Sequence, residues 1–240
     1  MRDKFFKKIN ELGILKKTKI LLAVSGGVDS MVLTHLLHSL NFKFSIAHCN
    51  FCLRGKESIR DENFIQSISK KINVKLFVKQ FNTDNYAVDN KISIQMAARD
   101  LRYSWFEDIR KEHGFDFIAT AHNYNDSVET LLINLIRGTG IAGLHGIKSK
   151  ERNIVRPLIG CYKDEIHKYA KDNNIKYCED SSNSEDKYVR NKIRNKILPI
   201  MKEINPSIIN SIGKTILKMR DVEKLYNHML SRKKAQLLIK

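Results

Sequence analysis

The stretch Lys19-Ile-Leu-Leu-Ala-Val24, followed at once by Ser25-Gly26-Gly27-Val28-Asp29-Ser30, decides the fold. An unbroken apolar run of this length, without polar alternation, is the pattern of a strand covered on both faces. Beyond Ser30 the apolar positions Met31, Leu33, Leu36, Leu37 and Leu40 follow helical spacing. Strand, glycine-rich turn and helix in that order make an anion site. Two glycines let the backbone approach a phosphate closely, and the amides at the helix start point at it. The hydroxyls of Ser25 and Ser30 assist. Asp29 does not meet phosphate directly, so it serves as a helix cap or holds a Mg²⁺ that bridges the phosphates. The loop predicts ATP binding through Ser25, Gly26, Gly27, Val28, Asp29 and Ser30. No G-x-x-x-x-G-K-[ST] motif occurs, so no lysine is placed to follow a transferring terminal phosphate.

Outward from the loop, residues 44–48, 74–78, 115–121 and 154–157 read as four more strands. Helical patterns over 2–12, 57–71, 92–113 and 124–137 precede and separate them. The alternation predicts an α/β fold, a doubly wound parallel five-stranded sheet with helices on both faces and a helical extension towards the C-terminus. Ligands of such sheets lie beyond the carboxyl ends of the strands. The segments after each strand are therefore the ones to read. They hold His48, then Thr120-Ala-His122-Asn-Tyr-Asn-Asp126-Ser-Val-Glu129, in which Asp126 and Glu129 share a helix face. Arg99 and Arg102 share another by i, i+3 spacing.

The net charge of +17 makes a polyanion the first partner to consider. Residues 197–240 carry nine Lys or Arg against three acids, so the basic character extends to the C-terminal part. No apolar run approaches a membrane span, and the charged start Met1-Arg-Asp-Lys-Phe-Phe-Lys-Lys8 is no signal peptide, which predicts a cytoplasmic protein without a membrane partner. Four cysteines in that setting read as free thiols. Gly138-Thr-Gly140-Ile-Ala-Gly143 matches a dinucleotide fingerprint, with Asp164 at a suitable distance. That fingerprint needs a preceding strand, and residues 128–137 are helical in spacing, so the glycines read as a loop over the active site.

The Ser25–Ser30 loop resembles that of the PP-loop ATP pyrophosphatase superfamily, which implies cleavage between the α- and β-phosphates and an adenylylated intermediate. The ordered series His48–Gly55, Gln95–Tyr103, Thr120–Thr130, Arg137–Gly140, Arg156–Leu158, Glu179–Asn183, Arg190–Arg194 and Leu198-Pro199 is similar to the tRNA(Ile)-lysidine synthetase family. The resemblance covers roughly residues 18–200. It implies a catalytic domain over 1–200 and, in 201–240, the start of a tRNA-contacting helical domain. The implied reaction is adenylylation of O2 of the wobble cytidine in a CAU-anticodon tRNA(Ile), then attack by the ε-amine of free L-lysine. ATP, Mg²⁺, lysine and the tRNA are the implied cofactors and partners, and a homodimer is left open. Under this resemblance Arg99 and Arg190 stabilise phosphate charge, Asp126 with Glu129 orients and deprotonates the ammonium, and His122 positions the nucleotide or relays a proton. His48 joins the nucleotide-binding set, Arg54, Arg137 and Arg194 contact tRNA, and Asp29 is the metal ligand.

Two other readings stay open. Cys49-Asn-Phe-Cys52 gives some support to a tRNA 2-thiocytidine-type PP-loop enzyme, although a cluster needs more thiolates. A non-catalytic tRNA-binding module with a relic loop would bind tRNA without lysine-dependent AMP release.

Overall fold

The structure is a computed structural model that describes residues 1–179 and 189–237; the Asp180–Asn183 part of the Glu179–Asn183 motif lies outside them. The chain divides into two compact units, Met1–Asn123 with Ser149–Asp180, and Tyr124–Lys148 with Ser181–Lys240.

The first unit is built on a six-stranded sheet in the order β3-β2-β1-β4-β6-β5. Its strands are β1 (Ile20–Ala23), β2 (Phe44–Asn50), β3 (Leu76–Gln80), β4 (Phe117–Ala119), β5 (Lys150–Glu151) and β6 (Ile154–Val155). Five run parallel. The sixth, β5, pairs antiparallel with β6 and is the strand that the five-stranded expectation lacks. It has two exposed, charged residues, Lys150 and Glu151, and so no apolar signature to read.

Alternate residues of each strand feed opposite faces. Ile20, Leu22, Ile46, Ala119 and Val155 pack with α1 (Arg2–Glu11), α2 (Val28–Ser39) and α7 (Lys163–Asp172). Leu21, Ala47 and Ile118 pack on the other face with Phe106 and Ile109 of α5 (Ile94–Glu112). Helices on both faces account for the unbroken apolar run of β1, whose Ile20, Leu21 and Leu22 are fully enclosed.

Between β3 and α5 lies α4 (Thr83–Asp89), which the sequence reading left within an unassigned stretch. The Asn82 side chain accepts from Asn85 N to start it, and Ser93 accepts from Met96 N to start α5. β3 begins two residues later than expected because Val74 N donates to Ser69 O. That bond closes α3 (Lys56–Lys71), with Asn73 at φ 52°.

The sheet reverses direction at β1. The chain winds to β2 and β3 on one side, then crosses to β4 on the other. The loops after β1 and β4 therefore open into one crevice, where doubly wound folds bind ligands.

The second unit is helical, with α6 (Tyr124–Ile136), α8 (Val189–Lys192), a π-helical turn (Ile193–Ile197), α9 (Leu198–Ile204) and α10 (Ile208–Leu237). Gly138-Thr-Gly-Ile-Ala-Gly143 follows helix α6, with a 3₁₀ turn at Ile141–Gly143, so the strand that a dinucleotide fingerprint requires is missing there. Among the described residues no helix is long and apolar enough to cross a membrane.

Candidate functional site

The loop after β1 is wired by its own hydroxyls. Gly26 adopts φ +94°, a conformation open to glycine and strained for other residues. Ser30 Oγ accepts from Gly26 N at 3.2 Å and donates to Gly27 O at 2.9 Å. Ser25 is exposed at the lip, and its hydroxyl lies 3.4 Å from Gly27 N. Helix α2 starts at Val28 from an extended Gly27, and no side chain caps it. A first turn without a side-chain cap directs its amide dipoles outward, the requirement for holding a phosphate chain.

Three neighbours fix this loop from below. His48 is 4% exposed, and its Nδ1 donates to Val24 O at 2.9 Å, while Val24 N bonds Ala47 O. The carbonyl can only accept, so the proton sits on Nδ1; burial lowers the pKa of the ring and keeps it neutral. Asn123, buried at the end of the β4 loop, donates to Asp29 Oδ1 at 3.2 Å, joining the two loops of the crevice. Cys178 N donates to Gly26 O at 2.9 Å, which ties residues 178–179 to the glycine turn. The anchor for that tie is Asp61, a buried carboxylate on α3. It takes two bonds from Arg60 at 3.0 and 2.8 Å and one from Arg54 at 3.0 Å, while Arg60 also donates to Glu179 O. Burial, with Asp61 beside it, pushes the Cys178 thiol up to about 11.

The remaining candidates of this unit lie apart from the loop's own bonds. Thr120 Oγ1 bonds His122 Nδ1 at 2.8 Å, which orients the ring at the end of β4. Arg99 is exposed on α5 with its guanidinium 4.9 Å from the Tyr103 ring centre, and Arg102 lies over Phe51. Arg54 is engaged with Asp61. Asp29 offers one carboxylate at the phosphate end of the loop. That donor set suits Mg²⁺, which commonly takes one or two carboxylates and completes its shell from phosphate oxygens and water.

In the helical unit, the first turns of α6 bring four predicted residues together. Arg194 on the π-helical turn grips Glu129 with both arms of its fork, Nε to Oε1 at 2.7 Å and an Nη to Oε2 at 2.9 Å, and lies 3.6 Å from Asp126 Oδ1. Arg190 stands 3.7 Å from Glu129 and donates to Thr130 Oγ1 at 2.9 Å. Side-chain exposure is 2% for Glu129, 14% for Asp126 and 26% for Arg194. Two carboxylates thus face two guanidiniums, with Glu129 enclosed and the Arg190 side chain 39% exposed. π-Turns are rare and concentrate at functional positions, and this one aims Arg194. Arg137 is exposed at the end of α6, outside the cluster. The sequence reading assigned no role to Asn123, Asp61, Arg60 or Thr130. Asn123 and Asp61 carried the available signal: an amide directly after a strand-end histidine, and a lone acid among inward apolar positions of a helix.

A parallel sheet with a Ser-Gly-Gly-Val-Asp-Ser turn at its switch point defines a PP-loop nucleotide-binding protein. The PP-loop domain family matches residues 1–201, and the chain belongs to that family. The chain is similar to the tRNA(Ile)-lysidine synthase of Bacteroides thetaiotaomicron, 47% identical over 93% of this chain and 53% of that protein. It is also similar to the tRNA(Ile)-lysidine synthase of Thermosipho africanus, 44% identical over 85% and 49%. It spans about half the length of these curated relatives. Among solved structures, the U34-tRNA thiolase NcsA from Methanococcus maripaludis superposes with a TM-score of 0.75 over 91% of this chain and 77% of its own. At 18% identity the likeness is one of fold.

Proposed function

We propose that this chain carries the catalytic domain of a tRNA(Ile)-lysidine synthase, with residues 1–200 forming that domain and 201–240 beginning a tRNA-contacting helical part. The observation that carries the reading is that one chain holds both an ATP-type anion loop and a carboxylate–guanidinium cluster, each within its own unit, and its relatives bear that name. The substrates are ATP, free L-lysine and a tRNA(Ile) with a CAU anticodon.

The loop Ser25–Ser30 holds the phosphates of ATP through amides and the α2 dipole, with His48 and Asn123 keeping it in shape. Asp29 would hold Mg²⁺, which when bound supplies charge neutralisation to the leaving pyrophosphate. O2 of cytidine 34 attacks the α-phosphorus and pyrophosphate leaves. Arg99 and Arg190 offer cations to the phosphate charge that develops, and His122, oriented by Thr120, positions the nucleotide or relays a proton. In the second step the lysine ε-amine gives up a proton, adds at C2, and AMP leaves. Asp126 is the better placed carboxylate to orient that amine, since Glu129 is enclosed and gripped bidentately. Arg54, Arg137 and Arg194 contact the tRNA backbone, a positioning role without base readout.

The test is direct. Purified protein with ATP, Mg²⁺, lysine and CAU-anticodon tRNA should release AMP and pyrophosphate in a lysine-dependent manner, and nucleoside mass spectrometry should find cytidine heavier by lysine less water. Asp126→Asn should reduce that product about a hundredfold while leaving ATP binding intact. Equal loss of both would end the division of roles between the loop and the carboxylates. A thiolation reading is less well supported. Burial pushes the Cys49 thiol up to about 12, and among the described residues no three His, Cys, Asp or Glu side chains converge on one point.

A further inference from the structure

Helix α10 carries a half-buried arginine, Arg220, that the proposed chemistry does not use. Arg220 extends its fork to two backbone carbonyls of one loop, donating from Nε to His145 O at 2.9 Å and from an Nη to Ile147 O at 2.6 Å. Partial burial lowers its pKa. One turn along, Glu223 stands 3.7 Å from both His145 Nε2 and Lys148 Nζ, so the same helix grips both sides of the loop.

Between the two carbonyls sits Gly146 at φ +61°. A Cβ there would lie 3.1 Å from Ile216 Cδ1 on α10 and 3.2 Å from the carbonyl of Ser127 on α6. The glycine is therefore a wedge whose fit depends on having no side chain. Ser127 directly follows Asp126, in the turn of α6 that carries the carboxylate cluster. A second seat lies one turn earlier, where a Cβ on Gly213 would lie 1.5 Å from the Tyr124 hydroxyl, so α10 approaches α6 as closely as a missing side chain allows. Arg220 holds the 145–147 backbone by hydrogen bonds, and Gly146 within it sits too near the Ser127 carbonyl, next to Asp126, to carry a side chain without a shift.

We propose that Arg220 is a positioning residue for lysine addition, holding the first turns of α6 in the orientation that presents Asp126 and Glu129. The proposal rests on the lysidine-forming reading for its kinetic arm and on the geometry alone for its structural arm. Removing the two donors frees the 145–147 backbone, loosens the packing of Gly146 beside the Ser127 carbonyl, and with it the turn that bears the carboxylates. Small misplacement of a reacting group is expensive in rate even when the group itself is intact.

The test compares wild type with Arg220→Met, which keeps length and removes both donors, and Arg220→Lys, which can restore one. In the full chain, hydrogen exchange of amides 124–130 and 145–148 should speed up about tenfold or more in Arg220→Met, with partial recovery in Arg220→Lys. Amides of β1 to β4 should keep their protection. The KM for lysine should rise about tenfold while the KM for ATP stays unchanged. Should Arg220→Met unfold the helical unit, Gly146→Ala retains both arginine bonds and pushes directly on Ser127, and should give the same exchange and KM pattern. The proposal is overturned if amides 124–130 keep wild-type protection while 145–148 loosen, or if the KM values for ATP and lysine rise together. A wild-type enzyme that forms no lysidine refutes the functional reading, whereas the exchange result still decides the role of Arg220.

Discussion

Glu129→Gln isolates the strongest electrostatic contact of the carboxylate cluster without changing its shape. Wild-type Glu129 accepts two charge-assisted hydrogen bonds from Arg194, at 2.7 and 2.9 Å, and its side chain is 2% exposed. Bonds to charged groups contribute about 1.5–3 kcal/mol each. Glutamine keeps one acceptor and turns an NH2 towards the other arm of the fork. Breaking a fully buried ion pair costs about 3–5 kcal/mol. Arg194 is a quarter exposed and lies 3.6 Å from Asp126, so water and that carboxylate recover part of the loss. The expected destabilisation is about 2–3 kcal/mol. The single tryptophan, Trp105, reports on the unit that holds the Ser25–Ser30 loop, whereas circular dichroism sums the helices of both units. The dichroism curve should therefore gain a component at lower denaturant that the fluorescence curve lacks. Combining Glu129→Gln with Arg194→Met in a double-mutant cycle should return a coupling of about 2 kcal/mol, because the cycle cancels what each change does to Asp126 and Arg190 and isolates the Glu129–Arg194 pair. A single-variant loss under about 0.5 kcal/mol, or additive effects in the cycle, would falsify the reading of this pair as a dry, preassembled clamp.

Gly26→Ala should cost about 1–2 kcal/mol of stability, because φ +94° is strained for an L residue while ordinary space surrounds the added methyl; calorimetric titration should find ATP affinity at least about tenfold weaker. Burial lowers the pKa of His48, so the unfolded chain takes up the proton first; this share of stability is present above about pH 6.5 and is lost as pH falls through the folded value. His35 and His167 shift the same way, so the His48 share is the difference between wild type and His48→Asn in denaturant titrations from pH 7.5 to 5. Arg137→Ala should weaken tRNA binding and lower the slope of log affinity against log salt by about one; an unchanged slope removes Arg137 from the phosphate contacts.

The parts of the fold that carry apolar periodicity were legible in the sequence. The β1 run and the Ser25–Ser30 turn predicted a two-faced parallel sheet with the nucleotide site at its edge, and the enclosed Ile20, Leu21 and Leu22 show why no polar residue interrupts that run. What escaped was local and polar. β5 is a two-residue charged edge, and α4 depends on the Asn82 cap, not on a long apolar stripe. His48 stood out in the sequence as a strand-end histidine, but its bond to Val24 O requires knowing that β2 lies beside β1 in a register pairing Leu22 with Ile46 and Ala23 with Ala47. Asn123 meets Asp29 across 94 positions, a distance that only the reversal of strand order closes.

The four charges on and around α6 were legible by type and were assigned to separate duties, carboxylates to an amine and arginines to phosphates and tRNA. The geometry ties those duties together. Arg194 satisfies both carboxylate oxygens of Glu129. A guanidinium that left for a phosphate would strand a carboxylate of 2% exposure, a state that costs several kcal/mol unless another cation arrives. If the proposed function holds, the ammonium of lysine would be such a cation, and Asp126, at 14% exposure, is the more open of the two carboxylates. Cation exchange at one pair of carboxylates would then link amine binding to release of an arginine, with each event strengthening the other by the same factor. On that reasoning a Glu129→Gln enzyme frees Arg194 without lysine. Lysine should strengthen phosphate-analogue binding in wild type and not in the variant, and a dependence that is absent from wild type or survives unchanged in the variant would show the two duties to be independent.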